Sequence, residues 1–151
     1  MKIIFLDFDG VLNSEKYVKN CGEYGVIIDP LRIILLKQIV DATNAKIVLS
    51  TSWREHWDKE NNKCDSIGRK INEIFKKYNL SIFDKTPKLH NSREEEIKEW
   101  LKRHPETQNF VVLDDMLLGA KFLEGHFVKT SNFFNGLEEN DVEKATEILN
   151  G

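Results

Sequence analysis

The sequence has few of the features that mark secreted or membrane proteins. Its 151 residues contain only two cysteines, Cys21 and Cys64, and neither has a partner at the spacing of metal or redox sites. We expect two free thiols in a reducing cytoplasm. The first apolar run ends at Asp7, too early for a signal peptide, and no stretch approaches transmembrane length. These absences favour a cytoplasmic protein.

The sequence also lacks a large charge surplus, internal repeats and low-complexity segments. A net charge of -3 gives no bulk attraction to nucleic acid or anionic membranes, although a local basic patch is compatible with it. The four histidines show no metal-binding spacing. With 40% hydrophobic and 31% charged residues, the composition is that of an ordinary globular protein. We predict one domain spanning residues 1–151.

Short apolar runs alternate with helical patterns along the chain. This alternation predicts an α/β, three-layer Rossmann-like fold with a mostly parallel five-stranded sheet. The apolar positions of the helix after Asp29-Pro30 cover most of its circumference, so we expect it to be well buried. The strands are predicted at 2–6, 46–49, 80–83, 110–113 and 126–129, and the helices at about 31–43, 67–78, 93–104, 116–123 and 140–150, with irregular segments at 12–28 and 53–65.

Polar clusters follow the predicted strands and begin one helix. The carboxyl ends of parallel strands share one edge of a sheet, where open α/β proteins keep their sites, so we expect these clusters to converge. Carboxylates packed together repel one another unless a hard cation such as Mg²⁺ lies among them. The clusters are Asp7 with Asp9, Thr51 with Ser52, the helix start at Arg93, and Asp114 with Asp115.

A magnesium site of this kind suits phosphoryl chemistry. One aspartate can attack phosphorus, and a second can protonate the leaving oxygen and then deprotonate a water molecule. Thr51 can offer its hydroxyl to phosphate oxygens, and Arg93 can offer a fixed positive charge.

These motifs resemble those of haloacid dehalogenase (HAD) superfamily phosphatases. The segment Asp7-Phe8-Asp9-Gly10-Val11 is similar to the first motif of that superfamily, and the strand 47–50 running into Thr51 is similar to the second. Arg93 would be the basic residue of the third motif, and Asp114-Asp115 resembles the fourth. The resemblance extends from residue 2 to about 115.

The resemblance implies a role for each of these residues. Asp7 would be the nucleophile that forms an aspartyl-phosphate, and Asp9 would be the general acid/base. The Asp7 carboxylate, the Asp9 carbonyl and Asp114 would hold Mg²⁺, with Asp115 assisting directly or through water. Thr51 would bind the phosphoryl group, and Arg93 would neutralise it. Dehalogenating members of the superfamily lack an acid at the position of Asp9, which favours a phosphatase.

Two assignments have alternatives. Lys88 competes with Arg93 for the third motif, although the capping box at Ser92 places Arg93 in the first helical turn. In the second motif, Ser50 and Ser52 are alternatives to Thr51 as the phosphoryl-binding residue.

Four residues are candidate substrate contacts, namely Gly10, Ser52, Arg54 and Lys88. Trp53 and Trp57 either stack on a base as a substrate platform or pack over the start of a helix.

Neither gap in which larger superfamily members insert a cap domain is long enough to hold one here. A capless, open site suits a bulky phosphorylated substrate, and the tryptophan-arginine segment favours a nucleotide or nucleic-acid end phosphate. A phosphoprotein, a small metabolite and a catalytically silent binding module remain alternatives, and the chain could be a monomer or a homodimer.

Overall fold

A five-stranded sheet in which every strand pair is parallel forms the centre of the protein. The computed structural model describes the backbone of residues 1–151 and every side chain except those at 132 and 133. The strand order is β3-β2-β1-β4-β5, which confirms the predicted α/β class and strand number. The strands are β1 Lys2–Leu6, β2 Lys46–Leu49, β3 Ile82–Lys85, β4 Asn109–Asp114 and β5 Phe127–Lys129.

Helices cover both faces of this sheet. Short 3-10 helices at Ser52–His56, Asn61–Lys63 and Lys121–Leu123 lie in the connections. None of the helices in the described structure is long and apolar enough to cross a membrane. The α-helices are α1 Glu15–Asn20, α2 Pro30–Thr43, α3 Ser66–Lys77, α4 Arg93–Arg103, α5 Asn132–Asn135 and α6 Glu139–Asn150.

Alternate residues of the strands point into two separate cores, as the two-residue period of a strand requires. Ile4 and Leu6 of β1 join the larger core, which includes buried residues of α2, α3 and α6. Ile3 and Phe5 join the smaller core, where Trp100 of α4 meets the Phe5 ring edge-on at 5.3 Å. The central strand is therefore buried on both faces.

The chain order of the strands places a topological switch point beside β1. The chain runs outward from β1 through β2 to β3 and then returns to the other side of β1 as β4. Hydrogen bonds continue one residue past the strands, from Asp7 N to Leu113 O (3.1 Å) and from Ser50 N to Leu6 O (3.0 Å). The polar residues after β1, β2 and β4 therefore lie side by side at one edge.

The structure corrects the predicted start of β3. The strand begins at Ile82 rather than at residue 80, because the chain turns after α3 at Asn79, which adopts the left-handed conformation (φ 55°). The Leu80 N–H then donates to the Phe75 carbonyl (3.0 Å), and the Leu80 side chain is buried in the larger core. Only after this turn is the chain free to pair with β2.

The helix predicted at 116–123 is wrong, since only Lys121–Leu123 forms a short 3-10 helix. The Asp114 side chain accepts a hydrogen bond from Met116 N (2.9 Å) and stabilises a turn there instead. Gly119 further disfavours a helix.

Two other expectations also need correction. The segment 12–28, expected to be irregular, contains α1. In α2, which we expected to be well buried, Leu31 and Ile34 are 64% and 42% exposed. This helix buries Ile33, Leu36 and Ile39 toward the sheet, and its opposite face meets solvent.

Candidate active site

Three aspartates from two neighbouring strands meet at the switch point. Asp7 follows β1, Asp114 ends β4, and Asp115 comes next. One carboxylate oxygen from each lies within 4.8 Å of the others. Asp7 and Asp114 are buried, and Asp115 is partly buried. The aspartates that follow β1 and end β4 therefore converge, as the strand pattern predicts.

Arg93 is the cation that reaches these carboxylates. It opens α4, whose N-cap Ser92 accepts a hydrogen bond from Glu95 N through its hydroxyl (3.2 Å). Its Nη1 atom lies 2.6 Å from Asp114 Oδ2 and 3.1 Å from Asp7 Oδ2. The side chain of Arg93 is mostly buried at this position, so its charge acts with little screening by water.

Lys88, the alternative basic residue, lies elsewhere. Its Nζ atom pairs with Glu55 Oε1 at 2.5 Å, and both side chains are at least half exposed. The structure thus brings Arg93, and not Lys88, to the aspartates.

The buried carboxylates hold more negative charge than Arg93 balances. Burial raises the pKa of Asp7 to about 7; Arg93 opposes this rise, whereas Asp114 and Asp115 add to it. Burial and the neighbouring Asp114 also raise the pKa of Asp115. Burial alone would lower the pKa of Arg93, but attraction to Asp7 and Asp114 outweighs it and raises that pKa. An additional cation would relieve this repulsion.

The donor set fits a hard divalent cation. It consists of carboxylate oxygens, which Mg²⁺ and Ca²⁺ prefer, and neither cysteine nor histidine belongs to it. Three carboxylate ligand atoms would leave the remaining coordination positions of Mg²⁺ for waters or phosphate oxygens, which is how this ion is usually held. Asp7, Asp114 and Asp115 are therefore the residues that could hold the metal.

Asp9 is exposed, but both of its oxygens are engaged. Oδ1 accepts from Asn13 Nδ2 (3.0 Å), and Oδ2 accepts from Trp53 Nε1 (3.0 Å). The buried Asn13 also donates to Ile27 O (2.8 Å) and accepts from Gly10 N (3.1 Å). The hydrogen bonds of this one asparagine therefore hold the loop that carries Asp9 in place.

Gly10 allows this loop to pass close to the carboxylates. It adopts φ +80°, and a Cβ there would overlap the Asp115 side chain. The Gly10 carbonyl accepts a hydrogen bond from the buried Thr130 hydroxyl (2.6 Å), just after β5. Gly10 thus has a structural reason to be glycine, and a substrate contact remains an expectation.

The second predicted cluster follows β2, next to β1. Thr51 is buried and begins the 3-10 helix, where its hydroxyl accepts from Trp53 N (3.4 Å). Ser52 is exposed. Ser50 Oγ is buried without a hydrogen-bond partner in the described structure. Thr51 and Ser52 thus lie on the strand next to Asp7, and their proposed contacts with phosphate stay predictions.

Arg54 faces inward rather than toward the site edge. It donates to Thr86 O (3.1 Å), to Thr51 O (3.0 Å) and to Glu96 Oε2 (2.7 Å). Both charged side chains are less than 10% exposed. Arg54 therefore ties the ends of β2 and β3 to the start of α4, an arrangement that favours the packing alternative over a substrate contact.

The two tryptophans near this cluster differ in environment. Trp57 is only 3% exposed and donates to Asn72 Oδ1 (2.9 Å), so it is a core residue. Trp53 is partly buried, and its indole faces Asp9. Only Trp53 is placed to influence chemistry at the aspartates.

Sequence reasoning missed three residues that shape the site: Asn13, Glu96 and Thr130. Asn13 could have been noticed, because asparagine side chains often bond backbone groups three or four residues earlier in the chain. Glu96 lies in the acidic first turn of α4, which by itself suggests only an interaction with the helix dipole, and Thr130 gives no local signal. Both act through contacts with residues far away in sequence.

This arrangement can hold a cation and a phosphate monoester beside the buried Asp7 carboxylate, and the carboxyl group of Asp9 lies two residues further along the chain. A family profile described as "HAD domain in Swiss Army Knife RNA repair proteins" matches residues 3–142, nearly the whole chain. Comparisons with curated proteins and with solved structures give no significant match.

Proposed function

The chain belongs to the family of HAD domains in Swiss Army Knife RNA repair proteins, and from this premise we propose that it is a Mg²⁺-dependent phosphatase of polynucleotide ends. The observation that carries the proposal is the juxtaposition of Asp7 with Asp114, Asp115 and Arg93. A buried carboxylate beside an arginine and a cation-binding set is suited to attack on phosphorus.

The proposed reaction proceeds in two steps on Asp7. Its carboxylate attacks phosphorus, the bond to the leaving oxygen breaks, and that oxygen takes a proton from Asp9. A water molecule then gives a proton to Asp9 and attacks the aspartyl-phosphate, which releases inorganic phosphate and restores Asp7. Arg93 neutralises charge on the transferring group. Bound Mg²⁺ would supply Lewis-acid stabilisation of the phosphoryl oxygens.

The access to Asp7 supports a large substrate. Between β1 and α2 the chain forms only α1 and loops, and between β2 and α3 it forms two short 3-10 helices. No cap domain interrupts either connection, and Asp9 is exposed. An uncovered site can accept the end of a polymer, but it cannot close over a small metabolite to exclude water from the reaction.

The family description and the net charge together narrow the substrate. The family is that of HAD domains in RNA repair proteins, which favours an RNA end with a 3′- or 5′-phosphate. The net charge of -3 argues against a long electrostatic footprint on RNA. We therefore propose recognition of the phosphorylated terminus and few nucleotides beyond it.

Hydrolysis assays with and without Mg²⁺ test the chemistry. We expect metal-dependent release of phosphate from an aryl phosphate by the wild type and a loss of at least about 10³-fold in Asp7→Asn. Asp41→Asn is the matched control, because Asp41 is exposed and pairs with Lys37 on α2. Activity that survives Asp7→Asn would contradict the mechanism.

A substrate panel tests the second half of the proposal. RNA oligonucleotides with a 3′- or a 5′-phosphate should give higher kcat/KM than mononucleotides, phosphopeptides and sugar phosphates. A preference for phosphopeptides or sugar phosphates would replace the substrate assignment and leave the chemistry intact. An absence of hydrolysis for every substrate would favour a binding module.

A further inference from the structure

The Asp9 carboxylate is held by donors from two different strand ends. Asn13 belongs to its own loop, whereas Trp53 belongs to the 3-10 helix that follows β2, 44 residues along the chain. An exposed aspartate normally samples several side-chain rotamers. With Oδ1 and Oδ2 each bonded at 3.0 Å, this one is restrained in orientation.

We propose that Trp53 is a positioning residue, whose indole N–H orients the Asp9 carboxylate for proton transfer to and from the substrate. The inference rests on the proposed phosphatase function and adds a specific role for a residue that does not touch the reacting atoms. A proton is transferred efficiently only within about 2.6–3.2 Å, so the orientation of Asp9 limits the rate. Each bonded carboxylate oxygen keeps a second lone pair for that proton.

Trp53 can do this because it is itself held in place. Its backbone N–H donates to the Thr51 hydroxyl (3.4 Å), and its ring packs against the larger core. The His56 ring lies 5.9 Å from the indole, and His56 pairs with Asp65 at the start of α3 (2.5 Å). The indole therefore connects the loop after β1 to the scaffold behind β2.

Trp57 provides a matched control for this role. It ends the same 3-10 helix, is more deeply buried than Trp53, and donates its indole N–H to Asn72 instead of to a proposed catalytic group. Replacing either tryptophan with phenylalanine removes one indole N–H and keeps an aromatic ring. If both tryptophans are purely structural, the two substitutions should affect activity to a similar extent. If Trp53 positions Asp9, only Trp53→Phe should lower activity strongly.

The test compares Trp53→Phe and Trp57→Phe with two substrates. One is the phosphorylated RNA oligonucleotide that the wild type hydrolyses, whose alkoxide leaving group needs a proton. The other is p-nitrophenyl phosphate, whose phenolate leaves without one. We expect Trp53→Phe to lower kcat/KM for the oligonucleotide by about 10- to 100-fold, less than the roughly 10²–10⁴-fold of acid–base catalysis because Asp9 itself is retained. For p-nitrophenyl phosphate the loss should be less than about threefold. Trp57→Phe should change neither by more than about threefold.

A double-mutant cycle identifies the route of the effect. If Trp53 acts through Asp9, Trp53→Phe should add less than about twofold in an Asp9→Asn background, measured by single-turnover cleavage of labelled oligonucleotide. An undiminished effect in that background would overturn the inference, as would equal losses for both substrates or equal losses in the two tryptophan variants.

The hydrogen bond between Trp53 and Asp9 can also be detected without an activity assay. In NMR spectra of the wild type and of Asp9→Asn, the indole N–H resonance of Trp53 should shift, while those of Trp57 and Trp100 stay in place, because their acceptors are Asn72 and Asp84. An unchanged Trp53 resonance would overturn the inference while leaving the phosphatase proposal intact. An inactive wild type would overturn the proposed function and, with it, the catalytic meaning of the contact.

Discussion

Replacing Asp7 with asparagine is expected to stabilise the metal-free protein above neutral pH, although it removes the proposed nucleophile. The pKa of Asp7 is raised from 3.8 to about 7, mainly by burial. Between these values the folded state holds a proton that the unfolded chain has released. The free energy of unfolding of the wild type should therefore fall as the pH rises from about 4 to 7.

The magnitude follows from the same pKa difference. At about 1.4 kcal/mol for each pH unit, the ionised carboxylate costs at most about 4 kcal/mol above pH 7. Asparagine avoids this cost but loses the charge that faces Arg93 at 3.1 Å. We therefore expect Asp7→Asn to gain about 2 kcal/mol at pH 8, which corresponds to roughly 4–8 °C in Tm for a chain of this size.

The assay is thermal unfolding with a chelator present at pH 5 and at pH 8. The advantage of Asp7→Asn should appear at pH 8 and shrink at pH 5, where Asp7 is protonated in the wild type. Asp41→Asn should match the wild type at both values. A Tm for Asp7→Asn below that of the wild type at pH 8 would refute the argument from buried charge.

Adding Mg²⁺ extends this experiment. Binding to the folded state alone stabilises the wild type by about 2.7 kcal/mol at a concentration 100 times Kd. Asp7→Asn, which lacks one proposed ligand, should gain less at the same concentration. Equal gains for both proteins would argue against Asp7 as a ligand.

Three further changes test other parts of the site. Glu96→Gln should lower the free energy of unfolding by about 3 kcal/mol in denaturant titrations, because it leaves a buried arginine without its counter-charge. Glu99→Gln, which removes the charge of a partly exposed pair on the same helix, should cost less than about 1 kcal/mol. Arg93→Ala should lower kcat by about 10²–10³-fold, whereas Lys88→Ala should change kcat by less than about threefold. Similar losses of kcat in the two variants would count against Arg93 as the phosphoryl contact. Gly10→Ala should lower Tm and weaken the Mg²⁺ response, since a side chain at φ +80° is strained and would overlap the neighbouring carboxylate; an unchanged Tm would contradict this.

Much of the architecture could be predicted from local patterns. Buried parallel strands are continuous apolar runs, so β1, β2 and β4 were recognisable within one or two residues. Errors arose where a distant contact or a local side chain overrode the pattern. Leu80 is apolar like a strand residue but completes the turn after α3. Met116 donates its backbone N–H to the side chain of Asp114, two residues earlier, and so lies in a turn.

The direction of polar side chains was much harder to predict. Arg54 lies two residues after Ser52 and is an obvious candidate for binding phosphate. Its side chain bonds the nearby Thr51 carbonyl, and its two other partners are Thr86 and Glu96. Those partners come from elements more than 30 residues away in sequence. A periodic pattern places a residue on an element, but the cost of burying an unpaired charge decides where its side chain goes.

The sequence by itself determined which residues gather at the switch point, since Asp7, Thr51 and Asp114 directly follow or end strands whose parallel pairing brings them to one edge. Only the tertiary structure decided that Arg93 rather than Lys88 meets the aspartates, that Arg54 faces inward, and that Trp53 bonds Asp9 while Trp57 packs in the core. The physical reason is that the local hydrophobic pattern indicates where strands lie in the chain, whereas strand order, hydrogen-bond partners and charge partners depend on the packing of elements remote in the chain.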